Sequence, residues 1–92
     1  MIKSFKHKGL EDFFLKGSIK GINPDYSRKI RRILSLLNEA EDVNELNYTG
    51  FRLHKLKGKM QNLWSVTVSG NYRITFEFKE KNAYILDYTD YH

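Results

Sequence analysis

The chain has 92 residues, of which 40% are hydrophobic, and a formal net charge of +5 at pH 7. This length supports one domain, residues 1–92, while the lack of cysteine and of any apolar run near twenty residues excludes a disulfide scaffold, a Cys-based zinc site and a membrane span. The positive charge is concentrated in residues 3–32 and 52–59, which in so small a domain favours a polyanionic partner such as nucleic acid.

The N-terminal segment predicts a short strand and a first helix. Residues 2–5 fit a short strand. Leu10, Phe13 and Phe14 follow at helical spacing and form one apolar stripe of a helix that Gly17 ends. The same segment lacks the apolar stretch and cleavage site of a signal peptide, so we expect a cytoplasmic protein without membrane contact.

A second helix is predicted to begin at Asn23. Asn23 is a cap residue, Pro24 stands at the first helical position, and Asp25 lies in the first turn. Its apolar positions recur with a period near 3.6: Tyr26, Ile30, Ile33, Leu34 and Leu37. The opposite face carries four basic residues, Arg28, Lys29, Arg31 and Arg32. We expect this basic face to be solvated rather than bound directly to RNA.

After Gly50 the apolar period changes from 3.6 to 2, which predicts β-structure. Residues 51–54 are predicted to form a short strand with Arg52 and His54 on one face, followed by a turn at residues 57–59. Residues 64–68 and 72–78 then alternate as a β-hairpin. A three-residue loop must join them if Val68 and Tyr72 are to share the apolar face, and residues 83–89 return as a third long strand.

The order of predicted elements indicates an α+β domain, in which a short N-terminal strand and two helices pack on an antiparallel meander sheet. Arg73 is then expected on the polar face of the sheet, which is left for function. The final residues Asp90, Tyr91 and His92 follow the last strand directly. We therefore expect that the sheet can hold His92, and that adding or removing residues at this end damages activity more than folding.

Few residues in the chain can carry chemistry. His7 lies among lysines and is expected to be a solvated surface residue, and His54 alone is more typical of a structural or surface position. The His and carboxylate spacing does not suit a metal, and the glycines form no phosphate loop. Metal-free RNA cleavage fits better, because it needs the RNA's own 2′-OH, a base, an acid and a cation on the phosphate. The residues alone indicate a basic α+β domain, and RNA cleavage is one of the functions that fit it.

Several segments resemble the HigB toxins of the RelE/ParE superfamily of bacterial toxin–antitoxin systems. They are RLHKLKG at 52–58, WSVTV at 64–68, NYRITF at 71–76 and DYTDYH at 87–92, and residues 1–10 are similar as well. The match covers nearly the whole chain, and the closing Asp-Tyr-His is its most specific part. Lys55 stands where the family commonly has proline, and Tyr72 where tryptophan is common.

The resemblance implies a RelE-like fold and a ribosome-dependent, metal-independent endoribonuclease without a cofactor, which cleaves messenger RNA in the decoding site of the 30S subunit of the 70S ribosome. It also implies inhibition by a HigA-type helix-turn-helix antitoxin, through which alone the toxin would meet operator DNA. Positions matching the family's active site are His54, Asp90, Tyr91 and His92, supported by Arg73 and Lys57. The basic cluster around His54 is expected to bind RNA phosphates: Arg52, Lys55, Lys57 and Lys59.

Two alternatives remain from the sequence. A ParE-type DNA gyrase poison would share the superfamily fold but would not need paired histidines. A non-catalytic RNA-binding module would use stacking aromatic residues and a basic groove.

Overall fold

The computed structural model describes residues 1–60 and 62–90, in which two helices pack on one antiparallel sheet. Helix α1 spans Lys8–Lys16 and helix α2 spans Ser27–Glu39. The four strands are β1 at His54–Lys55, β2 at Trp64–Thr67, β3 at Tyr72–Lys79 and β4 at Asn82–Asp90. Their order across the sheet is their order in the chain, so the predicted α+β meander is confirmed.

Helix α1 begins at a side-chain cap and ends at a glycine. The His7 ring accepts a hydrogen bond at Nδ1 from the backbone N–H of Leu10, 3.0 Å away, and Gly17 ends the helix in the left-handed region at φ 74°. The half-buried His7 ring also meets the Tyr88 ring edge-on, with 5.6 Å between centroids. The prediction of a solvated His7 is therefore wrong, because this side chain caps a helix and packs on a ring.

Helix α2 is preceded by a 3₁₀ turn at Pro24–Tyr26, which Asn23 caps through its side-chain oxygen. The predicted helix start is thus the start of this turn, and the α-helix proper begins at Ser27. On the outer face of α2, the Arg31 guanidinium lies 5.3 Å from the Phe13 ring centroid and that of Arg32 lies 5.0 Å from the Tyr48 ring centroid. These exposed arginines therefore cover aromatic surface as well as meeting solvent.

The loop after α1 returns across the first turn of that helix at two glycines. A Cβ atom on Gly21 would lie only 2.4 Å from the Cα atom of Gly9, and one on Gly9 would lie 2.6 Å from the Cα atom of Gly21. Any side chain at either position would displace backbone, so the absence of a side chain at both glycines allows this contact.

The core lies between the helices and one face of the sheet. On β3, Ile74 and Phe76 are fully buried, and they share a single apolar cluster with Val66 of β2, Leu86 of β4 and the inner residues of α2. Val68 N–H donates to the carbonyl of Tyr72 at 2.9 Å, which confirms the predicted three-residue loop between β2 and β3. Thr67 is the cross-strand partner of Arg73, which confirms that Arg73 lies on the other face.

A β-bulge in β4 shifts the alternation of its side chains. Thr75 pairs with Asp87 and Glu77 pairs with Tyr84, so Ile85 and Leu86 together oppose Phe76. Ile85 has φ 50°, an unusual value for a β-branched residue, and is 40% exposed. Because of this extra residue, Leu86 enters the core and Asp87 is placed on the same face as Arg73.

Two predicted strands differ in extent from the observed ones. Residues 2–5 pair with β4 in parallel only through isolated bridges, Ile2 to Ala83 and Phe5 to Leu86. The strand predicted at residues 51–54 begins only at His54, since Arg52 has φ 51° and interrupts the extended backbone.

Candidate active site on the open face of the sheet

The sheet face that points away from the helices, here called the open face, carries two cross-strand rows of polar side chains. The strand register defines the first row as His54, Ser65, Thr75 and Asp87. The second row lies two residues further along the strands and consists of Thr67, Arg73 and Thr89. With about 4.8 Å between strands and about 3.3 Å per residue, His54 and Arg73 have Cα atoms roughly 12 Å apart, so both side chains can reach one ligand.

Arg73 is half-buried in the middle of the second row, with a threonine on each side. The Thr89 hydroxyl is buried without a hydrogen-bond partner, as is that of Ser65 in the first row. Buried hydroxyls of this kind are rare in folded proteins unless water or a ligand completes them. The planar Arg73 guanidinium is itself a group suited to hold an anion with several oxygen atoms, such as a phosphate.

His54 is exposed at the edge strand and is oriented by its own backbone. Its Nδ1 atom lies 2.8 Å from the carbonyl oxygen of Arg52. A carbonyl can only accept a hydrogen bond, so Nδ1 carries the hydrogen and, in the neutral ring, Nε2 is the hydrogen-bond acceptor. The left-handed conformation of Arg52 therefore contributes to the site through its main chain.

A cleft of about 260 Å³ opens beside these rows and contains two predicted site residues, Arg73 and Asp90. Its other lining residues are Lys6, Leu63, Thr75, Ile85, Asp87 and Thr89. Sequence reasoning missed Lys6 and Asp87. The sequence carries no signal for either residue, because the position of Lys6 depends on the parallel pairing of residues 2–5 beside β4 and that of Asp87 on the bulge at Ile85.

The predicted basic cluster is divided between different surroundings. Lys55 and Lys57 line a second, open cleft of about 420 Å³ together with Leu56, Gly58 and Asn62. The Lys55 ammonium also lies 5.7 Å from the centroid of the Trp64 ring. Arg52 and Lys59 are exposed and line neither of these two clefts.

Two predicted site residues, Tyr91 and His92, lie outside the residues that the structure describes. The last described residue, Asp90, pairs with Tyr72 at the end of β4. The expected role of the C-terminus stays a prediction.

Within residues 1–60 and 62–90, no three His, Asp or Glu side chains come together as a group that could hold a metal ion. Over the same ranges, no helix is long and apolar enough to cross a membrane.

Comparison with known proteins places the chain in a family. A sequence model of HigB-like toxins, described as RelE-like toxins of type II toxin–antitoxin systems, matches residues 3–92. The chain belongs to the HigB family of RelE-like toxins. It is also 47% identical over 92 residues, the full length of both chains, to a protein of Proteus vulgaris named Endoribonuclease HigB. As a toxin of a type II system, the HigB-family chain has an antitoxin partner.

Proposed function

We propose that this HigB-family toxin is a ribosome-dependent, metal-independent endoribonuclease that cleaves messenger RNA in the ribosomal A site and so stops translation and growth. The observation that supports the proposal is the strand register, in which Arg73 and an oriented histidine, His54, lie on the same face of the sheet. The name of the 47% identical relative supports the reaction class.

The proposed reaction uses the RNA's own 2′-OH as the nucleophile. A base takes the 2′ proton while the 2′ oxygen attacks the adjacent phosphorus, and an acid protonates the departing 5′ oxygen. The products are a 2′,3′-cyclic phosphate on one fragment and a 5′-OH on the other. The phosphate gains negative charge in the transition state, which preorganised cations stabilise.

The chain offers a residue for each of these roles. His54, through Nε2, and His92 are the acid and base, with the direction of transfer open. Arg73 and Lys57 stabilise the scissile phosphate. Asp90 orients or charges an imidazole, and Tyr91 contacts the substrate base or phosphate.

The proposed partners follow from the same reading. The antitoxin is of the HigA type with a helix-turn-helix domain, and operator DNA is reached only through it. The substrate complex is messenger RNA in the decoding site of the 30S subunit of a 70S ribosome. The exposed basic residues Arg52, Lys55 and Lys59 bind RNA phosphates around it.

The test is to map messenger RNA 5′ ends after induction of the toxin, with and without a co-expressed antitoxin. We expect new 5′-OH ends inside translated codons, which disappear when the antitoxin is present or when His54, Arg73 or His92 is replaced by alanine. Purified toxin should give the same products on programmed ribosomes when a chelator of transition metals is present and Mg²⁺ is kept at the level that ribosomes need. Intact messenger RNA together with DNA breaks would contradict the proposal and favour gyrase poisoning.

A further inference from the structure

Lys6 is held beside the candidate active site by the backbone around it. The N–H groups of Lys6 and His7 both donate to the carbonyl oxygen of Leu86, at 2.8 and 3.1 Å. These bonds fix the N-terminal segment alongside β4, where Lys6 lines the same cleft as Arg73. The Lys6 side chain itself is 72% exposed.

The Lys6 ammonium faces an acidic residue in that cleft. Its Nζ atom lies 3.9 Å from Oδ2 of Asp87, whose side chain is 21% exposed. The other carboxylate oxygen, Oδ1, accepts a hydrogen bond from the Tyr88 N–H at 3.0 Å. The Asp87 carboxylate is therefore fixed, while Lys6 is held by one long, solvent-screened contact that is weak.

This pair stands at one end of the first row on the open face. The row runs from His54 through Ser65 and Thr75 to Asp87, a distance of about 14 Å at three strand spacings. Arg73, Lys6 and Asp87 line one cleft, so an RNA that places a phosphate at Arg73 meets the Asp87 carboxylate in the same cleft. A fixed carboxylate repels that phosphate backbone, whereas the adjacent ammonium attracts it.

We propose that Lys6 and Asp87 form an exchangeable ion pair that sets the affinity of the cleft for RNA: Lys6 leaves Asp87 and binds an RNA phosphate next to the scissile one. Asp87 holds Lys6 at the cleft in the unbound protein and competes with the phosphate for it. The inference rests on the proposed function, because the bound RNA is the substrate of that reaction.

The experiment measures binding of a labelled single-stranded RNA that carries 2′-O-methyl groups throughout, so it cannot be cleaved by 2′-OH attack. Lys6→Met should weaken binding by up to about fivefold at low salt, the upper range of an exposed charge contact, and reduce the slope of log K against log salt by about 0.7. Asp87→Asn, which keeps the Oδ1 acceptor for Tyr88 N–H, should tighten binding.

The double variant, Lys6→Met with Asp87→Asn, distinguishes competition of Asp87 for Lys6 from independent effects of the two charges on RNA binding. If Asp87 competes for Lys6, then Lys6→Met weakens binding more strongly in the Asp87→Asn background than in the original protein. Equal effects in both backgrounds would overturn the exchange. Loss of binding in Asp87→Asn would overturn it too, and so would an undetectable affinity of the unaltered protein at low salt.

A matched pair elsewhere in the molecule serves as the control. Lys81 Nζ lies 3.8 Å from Glu41 Oε1, with a lysine side chain that is 68% exposed, at the opposite end of β4 from Asp90. Lys81→Met and Glu41→Gln change net charge equally but lie away from the cleft. If they alter RNA binding as much as the Lys6 and Asp87 variants, general charge explains the result and the proposal fails.

Failure of this inference can be told apart from failure of the proposed function. Cleavage of unmodified messenger RNA on ribosomes tests the reaction, whereas the methylated RNA reports binding alone. If messenger RNA is cleaved but Lys6→Met has no effect on binding, the exchangeable pair is disproved and the ribonuclease proposal stands. If the binding effects are as expected but messenger RNA is not cleaved, the cleft binds RNA and the ribonuclease proposal is disproved.

Discussion

The two faces of strand β3 differ although they share the same backbone. On the helix side, Ile74 and Phe76 have no exposed surface and pack in the common core. On the open face, Arg73 and Thr75 belong to polar rows that contain buried hydroxyls without hydrogen-bond partners. The helix side contributes stability through apolar burial, whereas the open face carries the Arg73 guanidinium among polar side chains, a group suited to bind an anion.

The alternation of side chains along a strand therefore supplies both the core and the open face. Where residues in a strand would fall on the wrong face, an extra residue is needed to restore the alternation. In β4 a strict period of two from Ala83 would direct Asp87 toward the core. The bulge at Ile85 reverses the parity, so Leu86 is fully buried and Asp87 joins the open face.

The largest effect is expected from a deletion that shifts the alternation of a strand by one residue, because this moves side chains to the opposite face of the sheet. Deleting Thr75 from β3 would turn either Arg73 toward the core or Phe76 toward the open face. We expect a loss of stability comparable with the total of about 5–15 kcal/mol of a small domain, and hence no cooperative unfolding transition in urea.

Deleting Ile85 is the matched control, since it removes the residue that forms the bulge and leaves Leu86 alone opposite Phe76. Asp87 would still pair with Thr75, and both faces would be preserved. We expect this variant to fold cooperatively. An Ile85 deletion that is as damaging as the Thr75 deletion would contradict the account of the bulge.

The second prediction is that the open face acts in cleavage and contributes little to stability. Arg73→Met should lower the rate of messenger RNA cleavage on ribosomes by about 10²- to 10³-fold, the usual effect of losing one preorganised charge-stabilising group. The midpoint of urea unfolding should change little, because the side chain lies outside the apolar core. Arg28→Met, on the exposed face of α2, is the control and should leave cleavage unchanged. Equal losses in both variants would show that the effect is not local.

Much of the fold could be predicted from residue patterns. The apolar stripe from Tyr26 to Leu37 identified α2, and alternation identified the hairpin with Arg73 on its polar face. The strand ends could not be predicted, because they depend on backbone conformations that carry no pattern. Arg52 adopts a left-handed conformation without being glycine, and this shortens β1 to two residues.

The candidate site could be predicted only where it follows from alternation or resemblance. His54 and Arg73 were identified in this way, and the structure places them in adjacent rows. Lys6 and Asp87 were missed because their positions depend on tertiary features: the N-terminal segment beside β4 and the bulge within it. His7 was misjudged for a similar reason, since neighbouring lysines say nothing about the ring of Tyr88, 81 positions away.

The third prediction concerns the loop that closes over α1. Gly21→Ala should reduce the free energy of unfolding by about 1–3 kcal/mol, because the new methyl group would overlap the backbone of Gly9 and force it to move. Gly70→Ala is the control, since nothing lies within 4 Å of its added Cβ and its backbone is outside the left-handed region. That variant should stay within about 0.5 kcal/mol of the original. Urea denaturation measures both, and similar losses would argue against the close approach.

The smallest expected effect tests the helix side of the sheet at Tyr88, whose ring stacks on Tyr72 and whose hydroxyl is buried without a hydrogen-bond partner. Burial, together with the nearby Tyr72 and Tyr26, raises the pKa of Tyr88 above its usual value of 10.0. The folded state then holds the phenol proton more tightly than the unfolded state does. The stability linked to this group is present below about pH 10 and is lost as the pH rises through the raised pKa.

Tyr88→Phe removes both the orphaned hydroxyl and its titration. We expect unchanged or slightly higher stability at pH 7, since a buried oxygen without a partner is costly, and a smaller decline in stability above pH 10 than in the original protein. Tyr48→Phe, at a residue that is 42% exposed, is the control for removing a tyrosine hydroxyl outside the core. If Tyr88→Phe declines as steeply as the original, the hydroxyl is not desolvated and the helix side of the sheet is open to water at this end.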